Sequence, residues 1–143
     1  MNNTREAIYA ALFGAVGLAA GFNTKGRRYI PWSEIAPELQ PALFQVQRKE
    51  APHQITNLPA SWKLDVDLII YVNTAGDLTI APSTLLNPIL DAVTSLFDAG
   101  VPGNKQTLGG LVHIARISGT IETDEGVLGD QAFALVPIEI ITY

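Results

Sequence analysis

Residues 61–74 read SWKLDVDLIIYVNT, and their apolar side chains alternate without a break. Trp62, Leu64, Val66, Leu68, Ile70 and Val72 form one face, while Lys63, Asp65 and Asp67 lie on the other. Successive side chains of a strand point to opposite faces, so this segment predicts a long β-strand with one face in the core. Just before it, LFQVQRKE over residues 43–50 alternates in the same way, with Phe44 and Val46 opposed to Gln45 and Gln47. Ala51 to Ala60 contains two prolines and reads as a ten-residue loop, long for a hairpin and therefore a candidate projection.

Beyond these two strands the period changes. PSTLLNPILDAVTSLFDAG, residues 82–100, predicts a helix capped by Ser83 or Thr84 and stopped by Gly100, with Leu86, Ile89, Leu90, Val93, Leu96 and Phe97 as its apolar stripe. LVHIARISGTIET (111–123) and QAFALVPIEIITY (131–143) predict two more strands. Pro137 has no N–H to give a neighbour, which predicts that the last strand is an edge strand or is bulged there.

At the other end, AIYAALFGAVGLAAGF (7–22) is a sixteen-residue run without charge. It falls short of the roughly twenty residues that cross a bilayer. Arg5 before it and small residues after it are features of a signal peptide, but Glu6 cancels that charge, and Asn3 with Glu6 has capping-box spacing. Ile8, Tyr9, Leu12, Phe13, Val16 and Ala20 share a helical face, so a buried helix ending at Gly21 is expected. RRYIPW (27–32) reads as a short strand interrupted by proline, and SEIAPELQPAL (33–43), with Pro37 and Pro41, as a connector. The sum is a single α+β domain over residues 1–143: a mostly antiparallel mixed sheet of four to five strands with two main helices packed on it.

Composition limits the chemistry. The 143 residues are 48% hydrophobic and 16% charged, with no cysteine, so disulfides and thiolate sites are excluded. A net charge of −5 argues against nucleic-acid binding through a basic face. The charge is unevenly placed: residues 1–64 carry seven Lys/Arg against four Asp/Glu, +3, and residues 65–143 carry two against ten, −8. Such a split suits self-association through opposite surfaces, although a solvated surface gives the same count.

No catalytic motif emerges. GVPGNKQTLGG (100–110) lacks the glycine before and the Ser/Thr after Lys105 that a phosphate loop needs. His53 and His113 are isolated from each other, and Ser33, Ser61, Ser83, Ser95 and Ser118 have no nucleophile-elbow setting. Asp65 and Asp67, about 7 Å apart by strand rise, suit a paired-carboxylate site or, more simply, an outer polar face. GTIETDEGVLGDQ (119–131) gathers Glu122, Asp124, Glu125 and Asp130, but the glycine and glutamate positions of a calcium loop are missing. Asp124-Glu125-Gly126 reads instead as an acidic hairpin turn.

Five collinear blocks carry a resemblance. REAIYAALF, PALFQVQR, LPASWKLDVDLIIYVNT, PSTLLNPILDAV and QTLGGLVHIARISGTIETDEGVLGDQAFALVPIEI span Arg5 to Ile140. Together they resemble the tail terminator, or tail-completion, proteins of long-tailed, lambda-like bacteriophages and prophages. The resemblance implies a virion structural protein without enzymatic activity or cofactor, forming a homo-hexameric ring at the tail–neck junction after assembly in the host cytoplasm. The ring would cap the tail tube protein, stop its polymerisation and offer a docking surface to the head–tail connector or neck protein. DNA would pass through the lumen without specific binding, and no membrane is involved.

On that reading Arg27, Arg28, Arg48, Lys49, Asp65 and Asp67 are candidate subunit-interface residues, and Glu122, Asp124, Glu125 and Asp130 a candidate acidic lining or rim. The competing expectations are another head–tail joining ring protein, a metal-dependent enzyme built on Asp65, Asp67 and the acidic turn, and a secreted binding domain whose first twenty residues are cleaved.

Overall fold

Ser61–Asn73, here β3, lies inside the sheet of the computed structural model, which describes residues 1–125 and 129–143. The chain order is α1 (Arg5–Gly17), β1 (Thr24–Gly26), two 3-10 turns (Trp32–Glu34 and Pro37–Leu39), β2 (Ala42–His53), β3, α2 (Pro82–Leu96), β4 (Ile114–Ile117), β5 (Glu122–Glu125) and β6 (Gln131–Ile141). Across the sheet the order is β1-β2-β3-β6-β4, with β5 also paired to β6. β1 runs parallel to β2, and the other pairs are antiparallel. Among the described residues the fold is α+β, with two α-helices and a mostly antiparallel six-stranded sheet.

One face of the sheet is covered by the helices. Leu64, Val66, Leu68, Ile70 and Val72 of β3 and Ala132, Ala134, Val136, Ile138 and Ile140 of β6 meet Ile8, Leu12 and Val16 of α1 and Leu86, Ile89 and Val93 of α2. Each fully buried Leu, Ile or Val contributes about 1.5–3 kcal/mol of transfer free energy, so this layer dominates the core. A second, smaller cluster lies on the opposite face, where Phe44 and Tyr71 pack with Ile35 from the connector.

Several boundaries differ from the expectations. Thr4, not Asn3, caps α1, its hydroxyl accepting from the Ala7 amide at 3.2 Å. The helix stops at Gly17 rather than Gly21, where the Lys25 ammonium donates to the Gly17 carbonyl and takes the place of a further turn. α2 has no Ser83 or Thr84 side-chain cap: Pro82 occupies its first turn, where a missing N–H is harmless, and the helix ends at Leu96, before Gly100. β2 runs on to His53, so the expected ten-residue loop shrinks to residues 54–60.

The largest corrections surround Pro137. β6 is a central strand and not an edge, lying between β3 and the β4/β5 pair. The expected single strand over residues 111–123 is two strands, because the chain leaves the ladder between Ile117 and Glu122. Ser118 donates to the Pro137 carbonyl at 3.0 Å, and the missing proline N–H faces that same side. The outer partner loops away where β6 has no donor to offer. The expected turn at Asp124-Glu125-Gly126 falls partly outside the described residues, since Gly126 is not among them.

Candidate functional site

Strand register assigns every candidate side chain to a face. On the face turned away from the helices, β6 presents Phe133, Leu135, Pro137 and Glu139, opposite Tyr71, Ile69, Asp67 and Asp65 of β3. β5 adds Asp124 beside Phe133 and Glu122 beside Leu135, and β4 adds Arg116 beside Glu139. Half of this open face is therefore aromatic and apolar, and half is charged.

A bulge in β2 builds the charged half. The register slips between Gln47 and Lys49, giving β2 one residue more than β3. Arg48 and Lys49 consequently both serve the open face, while Glu50 is turned under α1. There Glu50 accepts from the Tyr9 hydroxyl and from Arg5 Nε, each at 2.6 Å. Burial pushes the Glu50 carboxyl up, but these two donors outweigh it and hold it below the usual range. The same environment pushes the Tyr9 hydroxyl well above its ordinary range, through burial and then the bond to Glu50.

On the open face, Glu139 is 8% exposed at its side chain and pairs with Arg116 at 2.6 Å and Lys63 at 3.2 Å. Burial alone would raise its carboxyl, yet hydrogen bonds from Arg116 and Lys63 bring it below the ordinary range. Asp67 behaves oppositely. Its side chain is 14% exposed and pairs with Arg48 at 3.3 Å, but burial dominates, the nearby Asp65 and Glu122 charges reinforce it, and the carboxyl is raised. Arg48, Asp67, Ser118, Glu122 and Pro137 line a shallow concavity of about 400 Å³ at this place.

The sequence candidates are thus distributed unequally. Arg48, Lys49, Asp65, Asp67, Glu122 and Asp124 come together on the open face. Arg27 is held by Glu6 of α1 and Gln47, and Arg28 is exposed beside it in the connector. Glu125 is turned to the helix face, where it accepts from the Ser83 amide at 2.5 Å and supplies the N-terminal bond that α2 lacks from its own cap. Asp130 lies by the 74–77 turn, its backbone carbonyl accepting from the Thr74 amide at 2.9 Å. The four carboxylates of one acidic stretch therefore have three environments.

Sequence reasoning missed an apolar groove beside the charges. Tyr29, Trp32, Ile69, Tyr71, Phe133 and Leu135 enclose about 270 Å³, and the signal available in the sequence was the apolar Ile69 and Tyr71 on the face of β3 read as polar, with Phe133 and Leu135 alternating in β6. Among the described residues, no group of three or more His, Asp or Glu side chains is arranged to hold a metal ion. None of the described helices is long and apolar enough to cross a membrane. No known family model and no curated protein matches the chain.

Proposed function

We propose that the protein is a virion structural subunit, a tail terminator that caps a phage tail tube as a homo-oligomeric ring, hexameric in the virion. The observation that carries this reading is the set of five collinear sequence blocks from Arg5 to Ile140. The charged open face supports it, because a ring needs each subunit to present surfaces its neighbour can read. In this reading the ring stops tube polymerisation, docks the head-side connector and stays at the tail–neck junction. It performs no catalysis.

Glu122 and Asp124 would contribute to an acidic lining, since negative charge repels DNA phosphates and keeps the passage free of sticking. The decisive experiment adds the purified protein to polymerising tail-tube protein. Shorter tubes with the protein at one end support the proposal. Unchanged tube lengths with no end binding reject it, and binding to the connector alone would reassign the chain to a neighbouring head–tail joining ring.

A further inference from the structure

β6 ends at Ile141, level with Lys63, and Thr142 adds a last contact to Trp62. Beyond that point β2 and β3 continue as a two-stranded ribbon whose residues 51–59 are all exposed. Its tip is a tight turn: Leu58 donates to the Ile55 carbonyl at 3.0 Å, and Asn57 takes a φ of 67°, a conformation asparagine tolerates. The turn sets Ile55, 57% exposed, and Leu58, 54% exposed, side by side as an apolar knob. Nothing in the fold of one chain requires a projecting apolar tip, and water penalises it.

The groove between Tyr29, Trp32, Ile69, Phe133 and Leu135 is the concave counterpart. Eight residues of β3 separate Ser61 from Ile69, about 27 Å at strand rise, so the ribbon cannot fold onto its own groove. The β2–β3 tip and the β5–β6 wall of the groove carry opposite charges. From Ala51 to Leu64 the chain has no acidic residue and carries His53 and Lys63; along the stem follow Glu50, which is paired with Arg5, and then Lys49. From Ser118 to Tyr143, which supplies Phe133, Leu135 and their β5 neighbours Glu122 and Asp124, it has no Lys, Arg or His.

We propose that the Ile55–Leu58 tip of one copy of this chain docks into the Tyr29/Trp32/Phe133/Leu135 groove of a second copy. Knob and groove are different surfaces, so the contact is head-to-tail and leaves the donor's groove and the acceptor's knob free. Repetition closes a ring when the rotation permits. The inference deepens the ring reading by naming its contact and rests on that reading only for the number of copies.

The absence of cysteine makes the test clean. Leu58→Cys and Leu135→Cys are prepared separately, checked for an unchanged fold by circular dichroism, and oxidised at high protein concentration alone and mixed. A disulfide-linked dimer formed in the mixture at several-fold the yield of either variant alone is expected, and the double variant should give a ladder of cross-linked species. Equal yields alone and mixed would overturn the contact and leave the groove to another partner. If either cysteine variant misfolds, Ile55→Cys with Phe133→Cys makes the same comparison. Tube-length assays read the terminator role separately, so cross-linking without an effect on tubes would retain this contact and reject that role.

Discussion

Arg116 and Glu139 face each other on neighbouring strands, the guanidinium donating to one carboxylate oxygen through two nitrogens at 2.6 and 3.1 Å. Two residues along β6, Pro137 sits opposite Asp67, whose carboxyl is shifted the other way. The difference comes from the balance of donors against burial. Glu139 has two cationic donors, whereas Asp67 has one and two like charges near it.

That balance fixes opposite pH signs. Glu139 is depressed in the folded state, so its stabilisation is complete above the ordinary glutamate pKa of about 4.3 and is lost as pH falls through the lowered value. Asp67 is raised, so its contribution is present below the ordinary aspartate range and is lost as pH rises through its folded value. Glu139→Gln should cost about 1–2 kcal/mol at pH 7 and flatten the acid limb of the stability profile. Asp67→Asn should cost less than about 0.5 kcal/mol at pH 7, because it removes a desolvated charge together with a partly exposed ion pair. Urea unfolding from pH 3 to 7 measures both, and equal losses in the two variants would contradict the assignment.

The Glu125–Ser83 bond ties the acidic stretch to α2. Proline at the first turn and an alanine before it leave α2 without a side-chain cap of its own, so a carboxylate brought from β5 meets both an unpaired amide and the positive end of the helix. Glu125→Ala should lower stability by about 1 kcal/mol, the usual cost of a lost cap. Glu122→Ala, which relieves repulsion on Asp67, should not lower it. Chemical denaturation of the two variants separates a capping carboxylate from a merely acidic one.

How far this was legible varies with the physics. The period of two in residues 61–74 specified β3 and its core face because one side is packed by helices and a slip would expose it. The outward face was legible as charges but not as an apolar groove, since Ile69 and Tyr71 extend the hydrophobic run onto both faces of the strand. Pro137 was read as an edge signal, yet a central strand accommodates it because the outer chain loops out over residues 118–121, leaving only Val136 and Pro137 of β6 without a ladder partner on that side. The separation of Glu125 from Glu122 and Asp124 follows from strand alternation alone, once the stretch is a strand and not a turn. The β2 bulge left no local mark, because QRKE reads equally well with either alternation.

The inward face of α1 belongs to the core, and the residues before it are tied to the fold. Leu12 is fully buried between Ile8 and Val16, Asn3 donates to the Leu111 carbonyl at 2.8 Å, and the Met1 ammonium donates to the Ala60 carbonyl at 2.8 Å. Removing the first twenty residues, as the secreted-domain reading requires, would strip Ile8, Tyr9, Leu12 and Val16 from the main cluster. Leu12→Ala should cost about 2–5 kcal/mol, the range for a buried leucine that leaves a cavity. A loss below 1 kcal/mol in denaturant melts would mean that α1 is dispensable to the fold.

The bulge at Arg48 gives the sharpest separation of side chain from backbone. Arg48→Ala removes an ion pair with Asp67 whose arginine is half exposed, worth about 0–1 kcal/mol. Deleting Arg48 removes the same pair and also the extra residue. Gln47 and Lys49 already pair with Val66 and Asp65, which are consecutive in β3, so the deletion closes an uninterrupted ladder and keeps Glu50 opposite Leu64, under α1. Glu50 therefore keeps the Tyr9 hydroxyl and Arg5, and the deletion should cost no more than about 1 kcal/mol beyond Arg48→Ala. Tyr9 offers a second readout, since its phenolic pKa, raised by burial and by the bond to Glu50, should stay raised in an alkaline absorbance titration of both variants. A deletion that lowers the Tyr9 pKa, or that destabilises by more than about 2 kcal/mol relative to Arg48→Ala, would show that the ladder does not close and that the bulge itself holds Glu50 against α1.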